Sequence, residues 1–115
     1  MSDLVRAALT EIEGVLESGS RYKPDLAYWV DGTEIAHFES EDLLDVRLTR
    51  RLIRAHRDEL RSDPAVTLRP GSSDWITVDV TGPDGLARAR RLVGLAAGAH
   101  RAPPGTIPRP PGRSH

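Results

Sequence analysis

The sequence predicts an α+β fold: a single five-stranded, mostly antiparallel sheet with helices packed mainly on one face, in the order α-β-β-β-α-β-β-α. Three observations carry this. Between Leu26 and Val80, short apolar runs alternate at period two, as half-buried strands do. Asp31-Gly32 separates two of these runs, and a type I′ turn needs the positive φ that both residues tolerate. Apolar residues at three- and four-residue spacing precede, interrupt and follow the strands, as amphipathic helices require.

The first helix is expected from the recurrence of Val5, Ala8, Leu9, Ile12, Val15 and Leu16, with Ser2 as N-cap and Gly19 just past the end. A connector broken by Pro24 follows. The hairpin comprises LAYWV and TEIAHFE, and its two-residue turn sets Val30 opposite Thr33, Tyr28 opposite Ile35 and Leu26 opposite His37. Leu43–Leu48 forms the third strand. A helix from about residue 50 to 62 is capped by Thr49 and stopped by Asp63-Pro64, because the residue before proline resists helical geometry. Val66–Arg69 and Trp75–Val80 are the last strands, joined by the loop Pro70-Gly71-Ser72-Ser73-Asp74. The final helix starts near Pro83, a favourable first-turn residue, and runs to about Arg101. Residues 1–101 read as one domain, and residues 102–115 as a Pro/Gly/Arg-rich disordered tail that cannot build a core.

Composition narrows the class. The chain has 115 residues, enough for one independent core, and no cysteine, which removes disulfides and thiolate metal sites. No apolar run approaches the ~20 residues that span a bilayer. The segment MSDLVRAAL lacks the layout of a secretory signal, so a cytoplasmic location is expected. Lys23 is the only lysine, and Asn and Gln are absent, a bias that fits a GC-rich bacterial genome. A net charge of −1 argues against a nucleic-acid partner.

Side-chain alternation divides the strands into two faces. The aliphatic set Leu26, Tyr28, Val30, Ile35, Leu44, Val46, Leu48, Val66, Leu68, Ile76, Val78 and Val80 faces the helices. The other side carries Trp29, Phe38, Asp45, Arg47, Arg69 and Trp75. Three uncovered aromatics would forfeit about 1.5–3 kcal/mol each, so a ligand, a partner chain or the tail is expected to cover them. Asp45 and Arg47 point to one face and read either as a solvated ion pair or as part of that binding surface.

His37 falls on the aliphatic side, either as a hydrogen-bonded core histidine or as a ligand or general base with Glu39. One histidine with scattered acids falls short of the three or four ligands of a zinc site, so neither metal nor cofactor is expected. The loop from Arg69 to Trp75 has the glycine and hydroxyls of an anion cradle but no phosphate-loop fingerprint. Ser72 or Ser73 as a nucleophile would need a histidine base, and His37 is expected on the other side of the sheet. Arg50, Arg54, Arg57 and Arg61 form one helical stripe, read as a solvated face rather than a phosphate track.

The runs Gly32-Thr33-Glu34-Ile35-Ala36-His37, Leu43-Leu44-Asp45-Val46 and Ser73-Asp74-Trp75-Ile76 resemble a family of small bacterial and fungal luciferase-like domain proteins. The resemblance spans about Leu26 to Ala96. It supports the domain boundaries and implies no particular chemistry, because a flavin-dependent luciferase barrel takes about 250 residues. Where that family often has a second histidine or a glycine after the one at His37, this chain has Phe38-Glu39-Ser40. The expected function is a non-catalytic binding or protein-interaction module, with an unknown protein or a second copy as partner. Candidate site residues are Trp29, His37, Phe38, Asp45, Arg47, Arg69, Ser73 and Trp75. The alternative is a small enzyme or ligand carrier with a pocket near His37, Asp45 and Arg69.

Overall fold

The computed structural model describes residues 3–21, 25–71 and 73–101. Ser2, Pro24, Ser72 and the tail from Ala102 onward, each assigned a role above, lie outside the described residues. The elements run α1 (Asp3–Thr10), β1 (Leu16–Gly19), β2 (Leu26–Val30), β3 (Thr33–Phe38), β4 (Leu43–Arg47), α2 (Arg50–Ala55), α3 (Arg57–Ser62), β5 (Val66–Leu68), β6 (Trp75–Asp79) and α4 (Gly85–His100).

The strands form one sheet in the order β1-β2-β3-β4-β6-β5, and every neighbouring pair is antiparallel. The sheet has six strands, not five. The extra one comes from the end of the expected first helix. α1 ends at Thr10, Gly14 adopts the left-handed φ of 84 in the turn that follows, and the chain runs back as β1 against β2. Leu16, counted above on the helix's apolar stripe, is 69 % exposed on this edge strand.

The middle helix is likewise two short ones, broken at His56 (φ −109, ψ 20). Thr49 caps α2 as expected, its hydroxyl accepting the Leu52 N–H at 3.4 Å. The break interrupts the arginine stripe, and all four of its arginines are exposed. The last helix starts at Gly85, two residues after Pro83, and no side chain caps it.

One face of the sheet meets the helices. Val5 and Leu9 of α1, Leu60 of α3, and Ala89, Leu92, Val93 and Ala96 of α4 share one cluster with Tyr28, Ile35, Leu44, Val46, Ile76 and Val78. No helix among the described residues is long and apolar enough to cross a membrane.

The hairpin departs from the simple two-residue count, and this places the site. Val30 pairs with Thr33 and Trp29 with Glu34, but Tyr28 pairs with Ala36 and Ala27 with His37. Ile35 is therefore an extra residue on β3, a β-bulge. Beyond it every side chain changes face relative to the expected frame. His37, expected on the aliphatic side, stands opposite Asp45 on the helix-free face. Phe38, expected on that face, pairs with Leu44 and packs edge-on against Tyr28 in the core, with ring centroids 6.3 Å apart.

Candidate functional site

A row of aligned residues crosses the helix-free face: Ala27 on β2, His37 on β3, Asp45 on β4, Thr77 on β6 and Thr67 on β5. Glu34, opposite Trp29 on the turn side of the bulge, already stands on this face, and the bulge brings His37 onto it, so two residues three apart on one strand meet. His37 Nδ1 lies 2.8 Å from Glu34 Oε2, and His37 Nε2 lies 3.1 Å from Asp45 Oδ2. All three residues are at most 5 % exposed.

Both carboxylates have further partners. The Ser20 hydroxyl donates to Glu34 Oε2 at 2.8 Å, and the Arg21 N–H donates to Glu34 Oε1. The Thr77 hydroxyl donates to Asp45 Oδ1 at 2.8 Å, and Arg69 Nη2 lies 3.0 Å from Asp45 Oδ2.

This arrangement sets the charge state. A neutral imidazole has a single N–H, while ionised carboxylates only accept. Two carboxylates on the two ring nitrogens are both satisfied only by the imidazolium. Burial opposes that charge, but the hydrogen bonds to Asp45 and Glu34 outweigh it and hold the His37 pKa above its ordinary value. Burial likewise pushes the Asp45 carboxyl up, and hydrogen bonds with His37, Thr77 and Glu39, together with the Arg69 guanidinium, reverse this, leaving it well below the usual carboxylate range. Buried ions cost several kcal/mol each before their partners offset it, so such a network is weak evidence for stability alone. Groups perturbed in this way inside a cleft mark a candidate functional site.

A cleft of ≈ 710 Å³ opens above the row, lined by His37, Glu39, Leu43, Asp45, Arg69, Trp75 and Thr77. The Trp75 ring sits 5.0 Å from the His37 ring at 43°, and Leu43 is 36 % exposed at the lip. Ligand atoms of His37, Glu39 and Asp45 all lie within 4.8 Å of one another.

Four of the eight candidate residues thus converge here: His37, Asp45, Arg69 and Trp75. Asp45 does not form a solvated pair with Arg47, being 2 % exposed and bound to His37 and Arg69 instead. Arg47 pairs with Asp74 at 3.7 Å. Trp29 shares the face but stands outside the cleft, with the Arg21 guanidinium 5.8 Å from its ring centre. Phe38 belongs to the core.

Ser73 accepts the Trp75 N–H at 3.0 Å and lies in a separate ≈ 170 Å³ depression with Arg50, Arg54 and Arg57, away from His37. Sequence reasoning did not select Glu34 or Thr77. Both were open to alternation, which sets Thr77 beside Trp75 and Glu34 opposite Trp29; the Glu34–His37 contact was not, because only the bulge brings His37 to that face.

Fold and site together define a small α+β domain with one helix-covered face and one face holding a buried ionic row beneath an open cleft. The family model of the Luciferase domain matches residues 32–96, more than half of the chain, and the chain belongs to that family. The match begins at the hairpin turn and ends within α4, so it contains His37, Asp45, Arg69 and Trp75. Neither a curated protein nor a solved structure matches the chain.

Proposed function

We propose that this Luciferase-domain protein is a small-molecule-binding domain, and that its ligand is a planar molecule carrying an anionic group, held in the cleft over His37, Asp45 and Arg69. The observation that carries the reading is the cleft itself. Its ≈ 710 Å³ falls within the range of about 300–1,000 Å³ usual for small-ligand sites. Trp75 offers a partly exposed ring for stacking, Leu43 an apolar lip, and Arg69 a guanidinium 40 % open to solvent. Binding is favoured over catalysis by His37, since both ring nitrogens are engaged by carboxylates and neither is turned to a substrate.

A second reading, docking of a protein or of another copy of the chain, is favoured by one observation. Leu16 is 69 % exposed and its Cα pairs with that of Trp29, extending apolar surface beyond the cleft on the same face.

Titration with the planar anionic dye 8-anilinonaphthalene-1-sulfonate separates the two. The small-molecule reading expects saturable one-to-one binding, weakened about tenfold by Trp75→Ala, the factor that corresponds to ~1.4 kcal/mol. The folded chain should remain monomeric by sedimentation. A dye that ignores Trp75→Ala would sink the reading, and a dimer weakened by Leu16→Ser would establish docking in its place.

A further inference from the structure

We propose that the floor of the cleft binds one divalent transition-metal cation through Nε2 of His37 and the carboxylates of Asp45 and Glu39, with Glu34 holding the imidazole from behind. The inference rests on the cleft being a ligand-receiving cavity and adds what its floor holds.

The donor set comes first. Imidazole nitrogen with two carboxylates suits borderline ions such as Zn²⁺, Co²⁺ and Mn²⁺, which bind these groups at about 2.0–2.2 Å. Two donors on one such ion stand about 3–3.4 Å apart, and His37 Nε2 and Asp45 Oδ2 are separated by 3.1 Å. The third donor lies within 4.8 Å of both, and Glu39 is exposed, so turning its carboxylate inward closes the set.

The surroundings are those that metal-binding histidines use. A ligating imidazole commonly donates its other N–H to a carboxylate, which fixes the ring and strengthens the donor. His37 Nδ1 makes such a bond to buried Glu34 at 2.8 Å, and Ser20 and Arg21 hold Glu34 in turn. Asp45 is similarly anchored through its other oxygen by Thr77.

A cation on Nε2 takes the place of any proton there, which leaves to solvent, and half-exposed Arg69, which lies on the same Asp45 Oδ2, has to give way to it. Three protein donors leave the cation an open position toward the cleft, where an anionic ligand group would sit.

The test uses the untagged full chain with Zn²⁺ and Co²⁺ as probes. Calorimetry should show one Zn²⁺ per chain, and Co²⁺ should give the visible absorption of a four- or five-coordinate site. Glu39→Gln, at an exposed position, should weaken Zn²⁺ about ten- to hundredfold. Glu34→Gln should weaken it to a similar extent without removing a donor, as loss of the carboxylate behind the imidazole requires.

Absence of binding by either ion at millimolar concentration would overturn the inference, as would Zn²⁺ affinity unchanged in both variants. Dye titration in EDTA and metal titration without dye separate the two readings. Dye bound by a chain that binds neither ion leaves the ligand cleft standing and ends the metal site, while metal bound by a chain that takes no dye does the reverse.

Discussion

Glu34 Oε2 lies 2.8 Å from His37 Nδ1, although the two residues are three apart on one strand and would face opposite ways without the bulge at Ile35. The bulge thus does two things at once. It turns His37 toward Asp45, and it brings the other side of the ring to the Glu34 carboxylate already on that face. A histidine cation between two carboxylates is tolerated in the sheet because each ion has at least two partners.

Removing one member should therefore cost more than an ordinary surface substitution. Glu34→Ala leaves the His37 cation, the Ser20 hydroxyl and the Arg21 N–H short of an acceptor, and is expected to destabilise the fold by about 3–5 kcal/mol. Glu34→Gln retains an acceptor oxygen and should cost less. Urea denaturation at pH 7 measures both, and a Glu34→Ala loss below about 0.5 kcal/mol would show that the pair is not coupled.

The joint between sheet and last helix gives a second prediction. Gly85 opens α4 against β6, and a methyl group there would overlap the Val80 backbone carbonyl. No side-chain rotation relieves a clash with backbone, so the helix start itself has to move. Gly85→Ala is expected to lower stability by about 1–3 kcal/mol despite its better helix propensity. Thermal melting reads the sign: a higher midpoint would mean that the helix end shifts freely.

Acid sensitivity is expected from a group far from the cleft. Glu17 on β1 takes Arg6 Nη2 at 3.0 Å and the Tyr28 hydroxyl at 2.9 Å, tying α1 and the core to the edge strand. The hydrogen bond from Arg6 is the largest cause of its lowered pKa, and the Tyr28 hydroxyl adds to it. A carboxyl with a lowered folded pKa stabilises the fold fully above its ordinary value of 4.5, and that stability is lost as pH falls through the folded value. Wild type should therefore lose stability below about pH 4.5 more steeply than Glu17→Gln, which carries no such charge to lose. Parallel stability-against-pH curves for the two would refute the assignment.

The extent to which these features were legible in the sequence follows from where chain geometry is local. Asp31-Gly32 fixed the hairpin turn, and alternation correctly grouped Asp45, Arg47 and Trp75 because no irregularity lies within β4 or β6. His37 and Phe38 exchanged faces because one bulged residue shifts a period-two count, and nothing in TEIAHF marks Ile35 as the extra one. Leu16 fitted a helical spacing by coincidence. Gly14, in the turn that separates that helix from β1, is an ordinary residue until its φ of 84 is known. The Luciferase-domain resemblance could not supply the missing contact, because Glu34 and His37 meet only through the bulge.

Arg69 gives the last prediction because it acts oppositely on the two proposed occupants of the cleft. Its Nη2 lies 3.0 Å from Asp45 Oδ2, on the oxygen that also faces His37. As a fixed positive charge it attracts an anionic ligand, repels a cation on the floor and competes for Asp45. Its side chain is 40 % exposed, so solvent screens the effect to ~1 kcal/mol, about fivefold in an equilibrium constant. Arg69→Ala should therefore bind Zn²⁺ about fivefold more tightly and the anionic dye several-fold more weakly, with near-wild-type stability because the group is half in water. Calorimetry for the metal and fluorescence for the dye read the two arms on the same preparation. Weakening of both together would mean that Arg69 holds the cleft open as a structural element, and that neither occupant senses its charge.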